Sequence, residues 1–339
     1  MQTQNLSDRQ KTGQRLMVGF TGTELNDELK YDIGTLNVGG IILFSRNIES
    51  PDQVSDLCVE AQQYAARCGL PPLFIAIDQE GGIVARLKPP FTQFPGNPTM
   101  QSEEDAIHFA QITAKELGQI GVNMDMAPVL DVPPPEGPSI MIERAFGRDP
   151  HWVAQMGCTM IEALQNNGIM AVGKHFPGIG RTVLDSHEDL PDLDIDLEAL
   201  STSDLPPFQA AVASDVSGIM LSHIRYPRLD PQWPASISVP IVNNLLRNQL
   251  SYQGLVMTDD LDMGAIAKHY HLPDIVSQCL ISTVDILLIC HSGPKIATAF
   301  EEIHRNIQTQ EELAEQSIAS LERILSAKVK YLAGTRTPA

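Results

Sequence analysis

GIMAVGKHFPGIGRTVLDSHEDLP, residues 168–191, joins an apolar run to a loop crowded with titratable groups. Gly168-Ile169-Met170-Ala171-Val172-Gly173 has no polar alternation, the pattern of a parallel strand buried on both faces. Lys174 and His175 therefore stand where a strand leaves a core, and Asp185 and His187 lie on the irregular segment beyond it. Gly178 and Gly180 let that segment bend, while Pro177 and Pro191 stiffen its ends.

Outward from this stretch, the same unit repeats. Apolar runs at 15–20, 39–44, 73–77, 122–129, 217–221, 254–258 and 285–289 each end on polar residues. Helical segments are expected at 51–68, 102–120, 152–166 and up to about 250, and a charged helix from about 301 to 332. Eight short strands alternating with helices predict an α/β chain folded as a single (β/α)8 TIM barrel. One domain is expected over 1–339, with a polar lead-in at 1–13 and a short tail after the last helix. A doubly wound open sheet is the alternative, but no GxGxxG turn follows an early strand. If the barrel closes, Arg46, Asp78, Lys174, His175, His223 and Asp259 converge at the strand C-terminal ends.

The formal net charge of −19 disfavours a nucleic acid or an anionic membrane as partner. An anionic substrate would need arginines and lysines concentrated locally. The five cysteines are scattered and form no CxxC pair, so neither a disulfide framework nor a structural zinc site is suggested. The first residues lack an apolar signal core, and no run approaches the length of a membrane span, so a cytoplasmic location is expected.

Asp259 follows Gly-Leu-Val-Met-Thr and so stands on a rigid strand end. A carboxylate there can attack a carbon that gains cationic character, as in retaining glycoside hydrolysis. It can also cap the helix expected at 263–266, a role assigned mainly to Asp262, with Asp260 the neighbouring suspect. Asp185 and His187, two apart, can project to one side, the carboxylate fixing the imidazole tautomer for proton transfer. A solvated acidic loop is the plainer reading of the pair. Lys174 and His175 either bind a ligand or satisfy a buried network. Asp78 and Arg86, flanking Gly81-Gly82, either approach a ligand or form a salt bridge that shapes the turn. Arg144 is a rim cation or a tether to Asp149, and Met124-Asp125-Met126 reads as strand packing. No HxH or HExxH occurs, so no metal or other cofactor is expected.

Together these stretches resemble family 3 of the glycoside hydrolases, in particular its bacterial β-N-acetylglucosaminidases. The resemblance rests on GGIILFSRN at 39–47, DQEGG at 78–82 with Arg86, APVLDV at 127–132, RAFG at 144–147 and TDDL at 258–261. Its most specific part is KHFPGIG followed by DSH. The resemblance implies a TIM barrel and a metal-free retaining hydrolase, with Asp259 as nucleophile and Asp185–His187 as a loop-borne acid/base pair. It further implies that Asp78, Arg86, Arg144, Lys174 and His175 bind the sugar. The implied substrate is a small carbohydrate with a terminal β-linked N-acetylglucosamine, often a peptidoglycan fragment. Ile179, Arg181, Ile83, Met141 and Ser282-Thr283 depart from the family pattern. Phosphorolysis, in which a histidine acid/base does not repel phosphate, β-glucosidase action and a non-catalytic amino-sugar-binding barrel are the alternatives.

Overall fold

The computed structural model describes residues 5–186 and 188–332. Its barrel strands are short and, apart from the end of β7, buried: β1 Leu16–Val18, β2 Gly40–Leu43, β3 Phe74–Ile77 and β4 Met124–Asp125. β5 Met170–Phe176, β6 Gly218–Leu221, β7 Leu255–Asp260 and β8 Ile286–Ile289 complete the set. Each pairs in parallel with the next in the chain, and β8 returns to β1, so the sheet is a closed barrel. The expected (β/α)8 architecture is what forms.

Successive residues on a strand face opposite ways, and the packing divides accordingly. Met17, Ile42, Phe74, Met124, Met220 and Met257 belong to one cluster inside the barrel. Their strand neighbours Leu16, Ile41, Ile75, Ile219 and Val256 join the larger cluster between barrel and helices. Unbranched methionines fill the irregular interior space.

Several expected boundaries move for identifiable reasons. The fourth strand, expected over 122–129, holds only Met124–Asp125, because Pro128 has no N–H to donate. β5 continues through Phe176, so Lys174 and His175 lie inside the strand, where the pairing with β6 shifts register. Within the polar lead-in, Ser7 and Gln10 form a capping box that starts a helix over Asp8–Gly13. The expected terminal helix is two, Pro294–Thr309 and Glu311–Leu332, separated at Gln310, which is extended (φ −130°, ψ 106°).

That break lets the last helix lie across the barrel's N-terminal end. Ile324 and Leu332 join the interior cluster. Lys328 Nζ donates to Gln14 Oε1 at 2.6 Å and Gly39 O at 2.8 Å. Buried Asp285, just before β8, accepts from Ser320 Oγ (2.7 Å), Arg323 Nη2 (2.8 Å), Arg247 Nη2 (2.7 Å) and Val256 N (2.9 Å). The helix is thus fastened to the end opposite the polar strand termini.

Thr283 closes the helix Leu272–Ile281 in the left-handed region, at φ +56°. A β-branched residue is strained there, and glycine is the usual occupant of such a helix end. Its hydroxyl donates to Asn243 Oδ1 at 2.9 Å, which offsets part of the strain. Thr283→Gly should raise unfolding stability by about 1 kcal/mol, measured in urea; a loss would mean that the Asn243 bond outweighs the backbone strain.

Candidate active site

A chain of alternating charges crosses the C-terminal mouth of the barrel. Asp78 follows β3, and a small hairpin, Gln79–Gly81 against Val84–Ala85, turns through Gly81-Gly82. Gly82 has φ +60°, and a Cβ there would lie 3.1 Å from Gly96 Cα, so the tight turn requires glycine. The hairpin thereby returns Arg86 to Asp78 (Nη2 to Oδ2, 3.0 Å). Lys174 Nζ, from β5, donates to Asp78 Oδ1 at 2.8 Å and lies 2.7 Å from Glu80 Oε1. Arg144 grips Glu80 with two bonds, Nε to Oε2 at 3.0 Å and Nη2 to Oε1 at 2.8 Å. Lys174 and Glu80 are each 2% exposed at the side chain, so this pair is removed from solvent.

Burial alone would push both carboxyls up, but Lys174 and Arg86 hold Asp78 well below its ordinary range, and Lys174 and Arg144 hold Glu80 below its own. The Lys174 ammonium, itself penalised by burial, is raised by the same two carboxylates. Asp125, at the end of β4 beneath this network, behaves oppositely. Burial drives its carboxyl well up, and one oxygen accepts Gln79 N at 3.0 Å while the other has no hydrogen-bond partner among the described residues.

Next in β5, His175 Nδ1 meets Asp131 Oδ2 at 2.7 Å. A carboxylate only accepts, so Nδ1 carries the proton and Nε2 is the basic nitrogen of the ring. Asp131 also accepts Ile179 N at 2.8 Å, and Tyr226 Oη donates to Gly178 O at 2.7 Å. A Cβ on Gly180 would fall 2.0 Å from Val132 O, so only glycine fits this close approach. Arg181 Nε donates to buried Asp204 Oδ2 at 3.0 Å, and Ile140 N to Thr182 O at 3.2 Å. The stem of the loop after β5 is therefore anchored through residue 182. Ile179, one of the departures, packs as a core residue. Asp185 is exposed. His187, its expected partner, lies outside the described residues.

Asp259 and Asp260 end β7 and are half-buried. Asp259 Oδ1 accepts Asp260 N at 2.8 Å, and no ion pair among the described residues engages it. Asp260 Oδ1 accepts Asp262 N and Cys290 N, each at 3.0 Å. Burial raises the Asp260 carboxyl, and the neighbouring carboxylates Asp262 and Asp259 add to the rise.

Some expected site residues serve the frame instead. His223 Nε2 donates to Asp260 O at 2.9 Å and Nδ1 accepts from Ser236 Oγ at 2.8 Å, so both ring nitrogens are used. Burial lowers its basicity, which keeps it a neutral brace under the end of β7. Arg46 donates to Phe20 O and Cys290 O, closing the β1–β8 seam. Arg144 is not a tether to Asp149 but is held at the mouth by Glu80; Asp149 caps the helix Pro150–Asn166 instead. Asp262 does not cap the following helix, whose N-cap is Met263. Its carboxylate accepts His291 N and Lys295 Nζ. Asp260, Asp262 and His291 form the one described trio close enough to share a cation, but the Lys295 ammonium already sits on Asp262.

Sequence reasoning singled out neither Glu80 nor Asp131 as a site residue. Glu80 was readable as a carboxylate that an otherwise uncompensated Lys174 and Arg144 would need. Asp131 was readable as the polar residue that breaks an apolar run just past a strand.

The N-terminal domain profile of glycosyl hydrolase family 3 matches residues 8–327. The chain belongs to glycosyl hydrolase family 3. It is accordingly a glycoside hydrolase. A β-hexosaminidase of Nitrosomonas eutropha is 36% identical over 285 residues, covering 81% of this chain and 80% of the relative. One from Pseudomonas aeruginosa is 34% identical over 296 residues, 86% of each. The family 3 β-N-acetylglucosaminidase structure from Paenibacillus sp. superposes with TM-score 0.92 at 35% identity, over 98% of this chain and 65% of that one. The β-N-acetylhexosaminidase of Beutenbergia cavernae gives 0.87 at 27%, over 96% and 99%.

In this family 3 barrel, Lys174→Met should cost about 3–5 kcal/mol of stability at pH 7, by leaving Asp78 and Glu80 buried with an ammonium removed. Because both folded carboxyls lie below their unfolded values, their contribution is complete above about pH 4 and is lost as pH falls through the folded values. Urea unfolding should therefore show a gap between parent and variant that narrows below about pH 4; a gap independent of pH contradicts the assignment.

Proposed function

We propose that this protein is a retaining exo-β-N-acetylglucosaminidase acting on small carbohydrates that carry a terminal N-acetylglucosamine. Peptidoglycan-derived fragments processed in the cytoplasm are the proposed natural substrates, and 1–339 the single catalytic domain. The observation that carries this reading is the contrast between carboxylates. Asp78 and Glu80 are locked in ion pairs, while Asp259 stands at a strand end, half-buried, its carboxylate accepting Asp260 N and in no ion pair among the described residues. Relatives named β-hexosaminidase and neighbours described as β-N-acetylglucosaminidases support the choice of sugar.

In the proposed mechanism the cradle holds the ring. Asp78, Arg86, Arg144, Lys174 and His175 present fixed donors and acceptors, an arrangement suited to a polyhydroxylated sugar whose hydroxyls both give and take protons. Asp259 attacks the anomeric carbon as the bond to the leaving oxygen breaks. His187, oriented by Asp185, protonates that oxygen and then takes a proton from the water that releases the sugar. A histidine in this role needs the loop seated and bulk water excluded.

Phosphorolysis would be helped by a free cation beside the loop, but the Arg181 guanidinium there is bound to Asp204. Sugar 1-phosphate should be absent from the products formed in phosphate buffer. Asp259→Ala should lower kcat on an aryl N-acetylglucosaminide by roughly 10³-fold or more, whereas Asp260→Asn should leave most of it. Near-full turnover by Asp259→Ala excludes the mechanism.

A further inference from the structure

The tip of the loop after β5 is fastened to the segment that leaves β7. Ala265 N donates to Ser186 O at 3.0 Å. Lys268 Nζ donates to Glu188 O, and His269 Nε2 bonds Asp189 Oδ1. Within the tip, Glu188 N and Asp189 N both donate to Asp185 O, at 2.9 Å and 3.2 Å. The receiving segment is itself short and well defined. Met263 N donates to Asp260 O at 3.1 Å, and Gly264–Ala267 form a single helical turn.

Asp185 thus lies between two anchored points. On one side Thr182 is held by Ile140, and on the other Ser186 is buried and held by Ala265. The stem bonds are to buried groups of the frame, such as Asp131 and Asp204. The tip bonds differ in kind, since Lys268, His269 and Asp189 are exposed. Exposed hydrogen bonds and ion pairs contribute little each, so the Lys268 and His269 contacts can be released without disturbing the barrel, while the Ser186–Ala265 bond is buried. No substrate-facing function is needed to account for Lys268 and His269; what they touch is the loop.

We propose that Lys268 and His269 are positioning residues that seat the tip of the β5 loop on the segment leaving β7, and so set the Asp185 acid/base pair against Asp259. This rests on the hydrolase mechanism proposed above. The nucleophile's strand would then carry its own docking point for the proton donor, and the two halves of the reaction would share one rigid reference. In the first half-reaction the bond from Asp259 to the anomeric carbon forms, the bond to the aglycone oxygen breaks, and the donor's proton passes to that oxygen. Only the last of these depends on the seat.

The test compares kcat/KM on two β-N-acetylglucosaminides, one with a 2,4-dinitrophenyl aglycone that departs unprotonated and one with a 4-methoxyphenyl aglycone that needs the proton. A Lys268→Met/His269→Gln double variant should lose about tenfold on the methoxyphenyl substrate and less than about twofold on the dinitrophenyl one, with an unchanged thermal midpoint. Lys268→Arg should keep most of the activity on both. Asp185→Asn should show the same selectivity with a larger loss. If the double variant falls equally on both substrates, or on neither, while Asp185→Asn is selective, the seat is refuted and the mechanism stands. If Asp185→Asn is not selective either, the acid/base assignment falls and the seat falls with it.

Discussion

Lys174 Nζ lies 2.8 Å from Asp78 Oδ1 and 2.7 Å from Glu80 Oε1, and the rest of the site is arranged around that contact. Its partners are 96 and 94 residues away in the chain, so it forms only when β3 and β5 are brought to the same mouth by barrel closure. An isolated buried ammonium costs several kcal/mol, and so does an isolated carboxylate. Here each charge is set against its opposite, and Arg86 and Arg144 terminate the chain at its two partly exposed ends. Such a network adds little net stability but tolerates only one arrangement. That rigidity suits a site that must hold a sugar ring in one pose.

The other half of the site is built differently. Asp259 stands on β7, braced from below by neutral His223 through the Asp260 carbonyl. The Asp185 loop has a stem tied to buried Asp131 and Asp204 and a tip tied to exposed side chains. In the proposed mechanism, a fixed carboxylate and a loop held partly by weak outer contacts divide the labour of acetal chemistry. The first must be in place before the substrate arrives, and the second must let it enter.

Much of the fold was legible because each strand is an apolar run that ends abruptly on a polar residue. Ile41–Leu43 and Ile75–Ile77 could hardly be anything but buried strands in a chain with helices between them. What sequence alone misjudged were the places where a tertiary partner decides. Lys174 and His175 extend β5 rather than leaving it, because β6 and Val129 continue to pair with that segment. The last helix breaks at Gln310 because its second part must cross the barrel floor to reach Asp285 and Gln14. Asp262 looked like a cap, but Lys295, whose approach depends on the turn after β8, claims its carboxylate. His223 looked like a mouth residue, and two hydrogen bonds supplied by distant segments make it a brace. Glu80 stayed unremarked beside two glycines because its importance lies in Arg144, 64 positions on.

The central claim is that Asp259 bonds to the sugar carbon while the paired carboxylates only hold the ring. Incubation with a slowly turned-over fluorinated aryl N-acetylglucosaminide, followed by mass-spectrometric peptide mapping, tests it directly. One sugar should be found attached through an ester to the Asp259 side chain. A label on Asp260, Asp78 or Glu80, or turnover with no covalent adduct at any time, would contradict the account.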